Sequence, residues 1–125
     1  MKFSAITENH LFQKAYSKGK RYVTERLAVY VLPDYAAGRL AKAHPEKKRV
    51  NRIGLTVSKK LGGAVERNRT KRILREGYRA AIGEQPIKVG FLIVIAAREA
   101  AVTVKSPVIA RDLVRAFRKL GLYEA

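Results

Sequence analysis

Residues Ile53 to Ser58 alternate in polarity: Ile53, Leu55 and Val57 face one way, Gly54, Thr56 and Ser58 the other. Such a period of two predicts a strand with one buried face. The chain then turns through Lys59, Lys60 and the Gly62-Gly63 pair and takes up a helical period from about Ala64 to Ile82. At about 100° per residue, Thr70, Ile73, Leu74, Gly77 and Ala81 share one side of that helix. Arg67, Asn68, Lys71, Arg72, Arg75 and Arg79 share the other. One side can therefore pack on a sheet while the opposite side presents a row of cations.

The remaining elements follow from the same patterns. Thr7 reads as the N-cap of a short helix over Glu8 to Ser17, with Gly19 just past its end. Leu11, Phe12, Ala15 and Tyr16 form its apolar stripe, and on periodicity alone Phe12 and Tyr16 read as core aromatics. Arg21 to Leu32 is extended, with a short strand at Tyr22-Val23 and a stronger one at Leu27 to Leu32, ended by Pro33-Asp34. Tyr30 faces away from Val29 and Val31. Asp34 to Arg49 reads as a long basic loop. Gly83 and Pro86 are expected to break the basic helix. Val89 to Ala97 is a continuous apolar run, the mark of a central strand covered on both faces. Ser106-Pro107 reads as a cap followed by an N1 proline. The helix it opens runs to about Leu120, stops at Gly121, and carries Val108, Leu113, Phe117 and Leu120 as its core stripe. The order helix, strands, helix, strand, helix predicts a small α+β sandwich with helices on about four strands, in one domain spanning residues 1–125.

Composition leaves the fold class alone but narrows the function. The 125 residues are 47% hydrophobic, ordinary for a globular chain. The charge is far from ordinary: 27 Lys plus Arg oppose 10 Asp plus Glu, a formal +17. Such an excess opposes the compact state by self-repulsion and points to a polyanionic partner. A membrane is the weaker candidate, because no apolar run approaches the roughly 18 residues of a membrane span. The first ten residues, MKFSAITENH, lack the apolar core of an export signal, and cysteine is absent, which excludes disulfides and thiol chemistry. A cytoplasmic location fits.

A solvated helix face usually mixes signs, with Glu placed to pair at i,i+4. In the basic helix only Glu66 and Glu76 interrupt the cations. Arginine dominates there, and its planar fork suits phosphate oxygens and base edges. Catalytic chemistry is harder to find. The ten acids are scattered, with none of the clustered carboxylates of a two-metal site, and His10 and His44 have no evident pairing. No phosphate-binding glycine motif is present. The residues describe a module that binds RNA or DNA and carries no visible catalytic set. Arginines around a glycine turn, with aromatics elsewhere, favour structured RNA plus a single-stranded segment.

Arg52-Ile53-Gly54-Leu55-Thr56-Val57-Ser58-Lys59-Lys60, followed by Glu66-Arg67-Asn68-Arg69-Thr70-Lys71-Arg72, resembles the signature of the bacterial ribonuclease P protein subunit. The resemblance extends over nearly the whole chain. Phe12-Gln13-Lys14-Ala15-Tyr16 with Gly19 is similar to the family's first helix, and Leu27-Ala28-Val29-Tyr30 to the strand after it. The strand ending at Arg98 and the helix ending Phe117-Arg118-Lys119-Leu120 also match.

The resemblance implies a two-layer α/β sandwich: a mixed four-stranded sheet, three helices and a left-handed βαβ crossover. It implies a subunit of an endoribonuclease that removes 5′ leaders from precursor tRNA, with the chemistry and the Mg²⁺ carried by the RNA subunit and no cofactor or catalytic residue in the protein. The implied partners are the catalytic RNA, one to one, and precursor tRNA, with no membrane and no obligate protein partner. Lys60, Arg67, Asn68, Arg69, Lys71, Arg72 and Arg75 map to the surface for the catalytic RNA. Phe12, Tyr16, Arg21, Tyr30, Ser58, Lys59 and Arg98 map to a leader-binding cleft between the first helix and the sheet. The resemblance thus turns Phe12 and Tyr16 from core residues into stacking platforms. Three departures stand out: Tyr at position 16 where Phe is commoner, Glu99 where many relatives carry a cation, and the long loop after Asp34. Two other readings share the charge logic. A ribosomal or chaperone module predicts RNA association without leader removal, and a self-sufficient nuclease predicts cleavage by protein alone.

Overall fold

Strand β4, Phe91–Ala97, is the middle of the molecule, and both of its faces are covered. The computed structural model describes Ile6, residues 9–34 and residues 51–123, apart from the Glu84 side chain. The expected cap at Thr7, most of the loop after Asp34, and His44 lie outside these residues. Helix α1, Asn9–Lys18, leads into β1, Lys20–Val23, and β2, Leu27–Pro33. After β3, Arg52–Thr56, come a 3₁₀ turn at Lys59–Leu61 and helix α2, Ala64–Glu84. Helix α3, Ser106–Lys119, follows β4 and a second 3₁₀ turn at Glu99–Ala101. The sheet order is β1-β2-β4-β3, antiparallel except for the parallel β3–β4 pair. This is the expected α+β fold, three helices packed on a mixed four-stranded sheet.

A parallel pair cannot be closed by a hairpin and needs a crossover, which α2 supplies. Helices α2 and α3 pack side by side on one face. There Leu27, Val29, Ile53, Ile93 and Ile95 from the sheet meet Leu74, Ile109, Leu113 and Phe117. This layer is the main core. On the other face α1 covers a smaller core of Ile6, Leu11, Ala15, Leu32, Leu92 and Val94. The apolar run of β4 is thus divided by residue parity, Ile93 and Ile95 to one core, Leu92 and Val94 to the other. At the outer edge of β3, the Ile6 N–H donates to the Ile53 carbonyl at 2.9 Å.

Several boundaries differ from the expected ones. Helix α2 continues through Gly83 to Glu84, and the break comes at Pro86, whose ring fixes φ and offers no N–H. Val89 is exposed and precedes the strand, since Gly90 takes a positive φ of 94° before Phe91. Ser106 is the first helical residue; Lys105 stands at the cap with no side-chain bond. The buried stripe of α3 runs through Ile109, Asp112, Leu113, Ala116 and Phe117, so Ile109 takes the place expected for Val108. Its C-terminus behaves as expected: Gly121 takes φ 72°, its N–H donates to the Arg118 carbonyl, and the Leu122 N–H donates to the Phe117 carbonyl.

Several polar groups inside the fold are paired. Arg26 meets the buried Asp112 of α3 at 3.3 Å, tying the β1–β2 turn to the helix layer. Asn51 donates to the Lys88 carbonyl and accepts from the Phe91 N–H, which fixes the starts of β3 and β4 together. Tyr78 of α2 contacts Phe117 edge to face, and burial pushes its phenol up to about 12, opposed in part by a side-chain hydrogen bond with Asn51. Arg52 donates to both oxygens of Asp34, from Nε at 2.7 Å and Nη2 at 2.8 Å. The Asp34 and Arg52 side chains keep only 2% and 15% of their surface, so solvent screens the pair little. Asp34→Ala removes this carboxylate from a buried guanidinium. The expected loss is about 3 kcal/mol in urea-induced unfolding. A loss below about 1 kcal/mol would show that solvent satisfies Arg52 as well as Asp34 does.

Candidate nucleic-acid interface

The sheet face beneath α1 is only partly covered, and what remains open is a cleft. Residues paired directly across strands share a face. Arg21, Tyr30, Val94 and Gly54 form one such row, and Val23, Ala28, Ala96 and Thr56 the next. The first row lies under α1 and the second extends beyond it, with Val23 exposed at the edge strand. Small residues, Ala28 and Ala96, keep this floor low.

Helix α1 divides its apolar stripe between core and cleft. Leu11 and Ala15 are buried against the sheet. Phe12 is half-buried, and Tyr16 keeps 43% of its surface. Asn9, Phe12, Gln13 and Tyr16 follow the i, i+3, i+4, i+7 spacing of one helix face. With Thr56 they line an open hollow of about 460 Å³. The Tyr16 ring stands edge-on to the Tyr30 ring, centroids 4.9 Å apart and planes at 81°. Its hydroxyl donates to Thr56 Oγ1 at 3.4 Å, a long bond. Phe12 and Tyr16 thus line one open hollow, and the half-buried Tyr30 ring joins them through its contact with Tyr16. Exposed aromatic faces beside cations suit unpaired bases, whose π-faces stack without regard to sequence.

The cationic helix begins where β3 ends. The Ser58 hydroxyl accepts from the Lys60 N–H at 3.1 Å and so caps the 3₁₀ turn. Ser58, Lys59 and Lys60 are exposed. Gly62 then takes φ 139°, which a side chain would resist, and the chain enters α2. Asn68, Arg69, Arg72 and Arg79 are exposed, while Arg67, Lys71 and Arg75 are half-buried. On the opposite side Thr70, Ile73, Leu74, Gly77 and Ala81 are buried, as the period requires. Arg69 Nη1 donates to the Val102 carbonyl at 2.9 Å, which bridges α2 to the segment before α3. Arg67 Nε is buried with no hydrogen-bond partner among the described residues. Arg72 and Glu76 approach only to 4.0 Å and are exposed, so the pair neutralises little. Arg67 also lies at the end of the first turn of α2, where the helix dipole disfavours a cation and favours an anion.

The site residues named from the sequence do not all fall together. Phe12, Tyr16 and Tyr30 converge. Arg21 shares the Tyr30 row on the outer strand. Arg98 lines a second hollow, of about 350 Å³, with Glu25, Glu99 and Ala100, and its Nη1 donates to the Thr24 carbonyl at 2.7 Å. Ser58 and Lys59 lie on the turn that joins cleft to helix. Sequence reasoning missed Asn9, Gln13, Thr56 and Gly54 as parts of the cleft. The alternation in β3 and the helical spacing in α1 both carried that signal. Among the described residues no three His, Asp or Glu side chains cluster in a way that would hold a metal, and no helix is long and apolar enough to cross a membrane.

Comparison with known proteins gives a consistent result. The family model described as Ribonuclease P matches residues 1–121. The ribonuclease P protein component of Clostridium acetobutylicum is 35% identical over 122 residues, covering 98% of this chain and 92% of that protein. Its counterpart from Clostridium botulinum strain Loch Maree is 31% identical over 123 residues, 98% and 99% of the two chains. The structure of the Staphylococcus aureus RNase P protein superposes with a TM-score of 0.71 at 27% identity, covering 98% of this chain and all of that one.

The electrostatic part of this interface predicts a steep salt dependence. Affinity for a structured RNA should fall by orders of magnitude between about 50 and 200 mM salt. Arg69→Ala should make the log–log slope shallower by about one. Binding that stays flat over that range would remove the cationic helix from consideration.

Proposed function

The chain belongs to the bacterial ribonuclease P protein family, and on that footing we propose that its two surfaces hold two different RNAs at once. It is the protein subunit of ribonuclease P, the endoribonuclease of tRNA processing that removes the 5′ leader of precursor tRNA. In our reading the catalytic RNA docks on Lys60, Arg67, Asn68, Arg69, Lys71, Arg72 and Arg75. The leader lies in the cleft of Phe12, Tyr16 and Tyr30, with Arg21, Ser58, Lys59 and Arg98 along its path. The observation that carries this division is the convergence of three part-exposed aromatic rings on the sheet face away from the main core.

Each surface then has its own physical task. The arginines of α2 supply forks that pair with phosphate oxygens of a folded RNA, and release of counterions gives most of the affinity. The aromatic cleft binds bases by stacking, which accepts any leader sequence, as an enzyme with many precursors requires. The turn at Ser58 to Gly63 connects the two, so a protein docked by α2 has its cleft at a set distance from the catalytic RNA. The bond is cut by the RNA subunit, which holds the Mg²⁺. The protein binds, orients and screens charge as one RNA-binding domain over residues 1–125, in a one-to-one cytoplasmic complex.

Reconstitution with a bacterial ribonuclease P RNA at low Mg²⁺ tests the reading. Cleavage at the mature 5′ end should depend on the protein and be absent with protein alone. Phe12→Ala should weaken precursor binding by roughly tenfold, within the range of one lost base stack, and leave mature tRNA binding unchanged. Arg69→Ala should weaken assembly with the catalytic RNA instead. Equal losses for precursor and mature tRNA with Phe12→Ala would remove the cleft from leader binding. Tight RNA binding without stimulation of cleavage would favour a ribosomal or chaperone role.

A further inference from the structure

Glycine in the interior of a strand weakens it and often marks a place where another group approaches closely. Gly54 sits in the middle of β3, and its φ is not positive, so no backbone conformation demands it. Space does. A Cβ at Gly54 would collide with Cε1 of Phe12, lie 2.7 Å from its Cζ and 3.2 Å from Cδ1 of Ile6. The Phe12 ring therefore rests directly on the β3 backbone, in the one column of the Arg21–Tyr30–Val94–Gly54 row that has no side chain.

We propose that Gly54 is a positioning residue of the leader cleft: by lacking a side chain it sets the depth of the Phe12 ring, and through that ring the affinity for the leader. The proposal rests on the leader-cleft reading above. The ring has few ways to give. Ile6 blocks one side, because its own methyl already crowds the same spot. Helix α1 is tethered to the sheet at its C-terminal end: the Gly19 N–H donates to the Ala15 carbonyl at 2.9 Å, and Lys20 at once begins β1, paired with Val31 of β2. The remaining direction is up, into the hollow lined by Asn9, Gln13, Tyr16 and Thr56, which is the space a leader base would occupy. A methyl group at position 54 thus raises the ring into the base's seat or tilts α1 away from Tyr30.

The test is Gly54→Ala in the reconstituted holoenzyme, read as the ratio of precursor to mature tRNA affinity. Precursor affinity is expected to fall about fivefold, a partial loss of one stack, with mature tRNA affinity unchanged. Phe12→Ala/Gly54→Ala should bind precursor no worse than Phe12→Ala alone, since the effect of Gly54 runs through the ring. An unchanged ratio for Gly54→Ala, or losses that multiply in the double variant, would overturn the inference. Should Gly54→Ala fail to fold, the double variant decides: a restored melting transition supports competition for one space, and continued failure overturns it. The two readings separate cleanly. If Phe12→Ala leaves the ratio unchanged, the leader cleft itself falls. If Phe12→Ala lowers it and Gly54→Ala does not, only the role of Gly54 falls.

Discussion

Burial of β4 on both faces is the constraint on which the molecule depends. Seven residues, FLIVIAA, must satisfy two cores of different size, and they do so by parity. Because β3 runs parallel to β4, the chain between them has to cross the sheet, and a helix is the economical way to cross. Helix α2 is that crossover. Its inner face is therefore fixed by the core, and its outer face is free to carry charge. The cationic row is not an addition to the fold; it is the solvent side of an element the topology requires.

The second core is the smaller one, and its size makes the other surface. Helix α1 is ten residues long and covers only part of its sheet face. Leu11 and Ala15 use up its buried positions, so the next residues around the helix, Phe12 and Tyr16, stand at the border between packing and solvent. Aromatic side chains tolerate that border because one edge can be buried while a face stays free. Tyr30 stands on the floor beside them, held at Tyr16's edge.

The two surfaces are also separated by chemistry. The helix face offers charge, which acts at a distance and is weakened by salt. The cleft offers ring faces, which act only at touching distance. In the proposed reading, a folded polyanion is recruited by the first without occupying the second. The pairs Arg26–Asp112 and Arg52–Asp34 engage two buried carboxylates with cations outside α2, so neither carboxylate neutralises the α2 arginines.

Much of this was legible in the sequence. The alternation at Ile53 to Ser58 and the helical period after Gly63 determined β3, α2 and the side of α2 that carries the arginines. The unbroken apolar run before Arg98 determined a strand covered twice. The signature around Arg67-Asn68-Arg69 determined the family. Local patterns such as these depend on residues near one another in the chain, and so they can be read from it. Periodicity alone put Phe12 and Tyr16 in the core, because a wheel reports which residues share a face and not how much of that face is covered. Gly54 carried no sign of its role in the sequence, because only the tertiary structure sets the Phe12 ring against it. Ser106 read as a cap and Val108 as core, and the structure instead puts Ser106 in the first helical turn and Ile109 in the buried stripe. Coverage, close approach and pairing arise between elements, and only the tertiary structure, which sets those elements side by side, decided them.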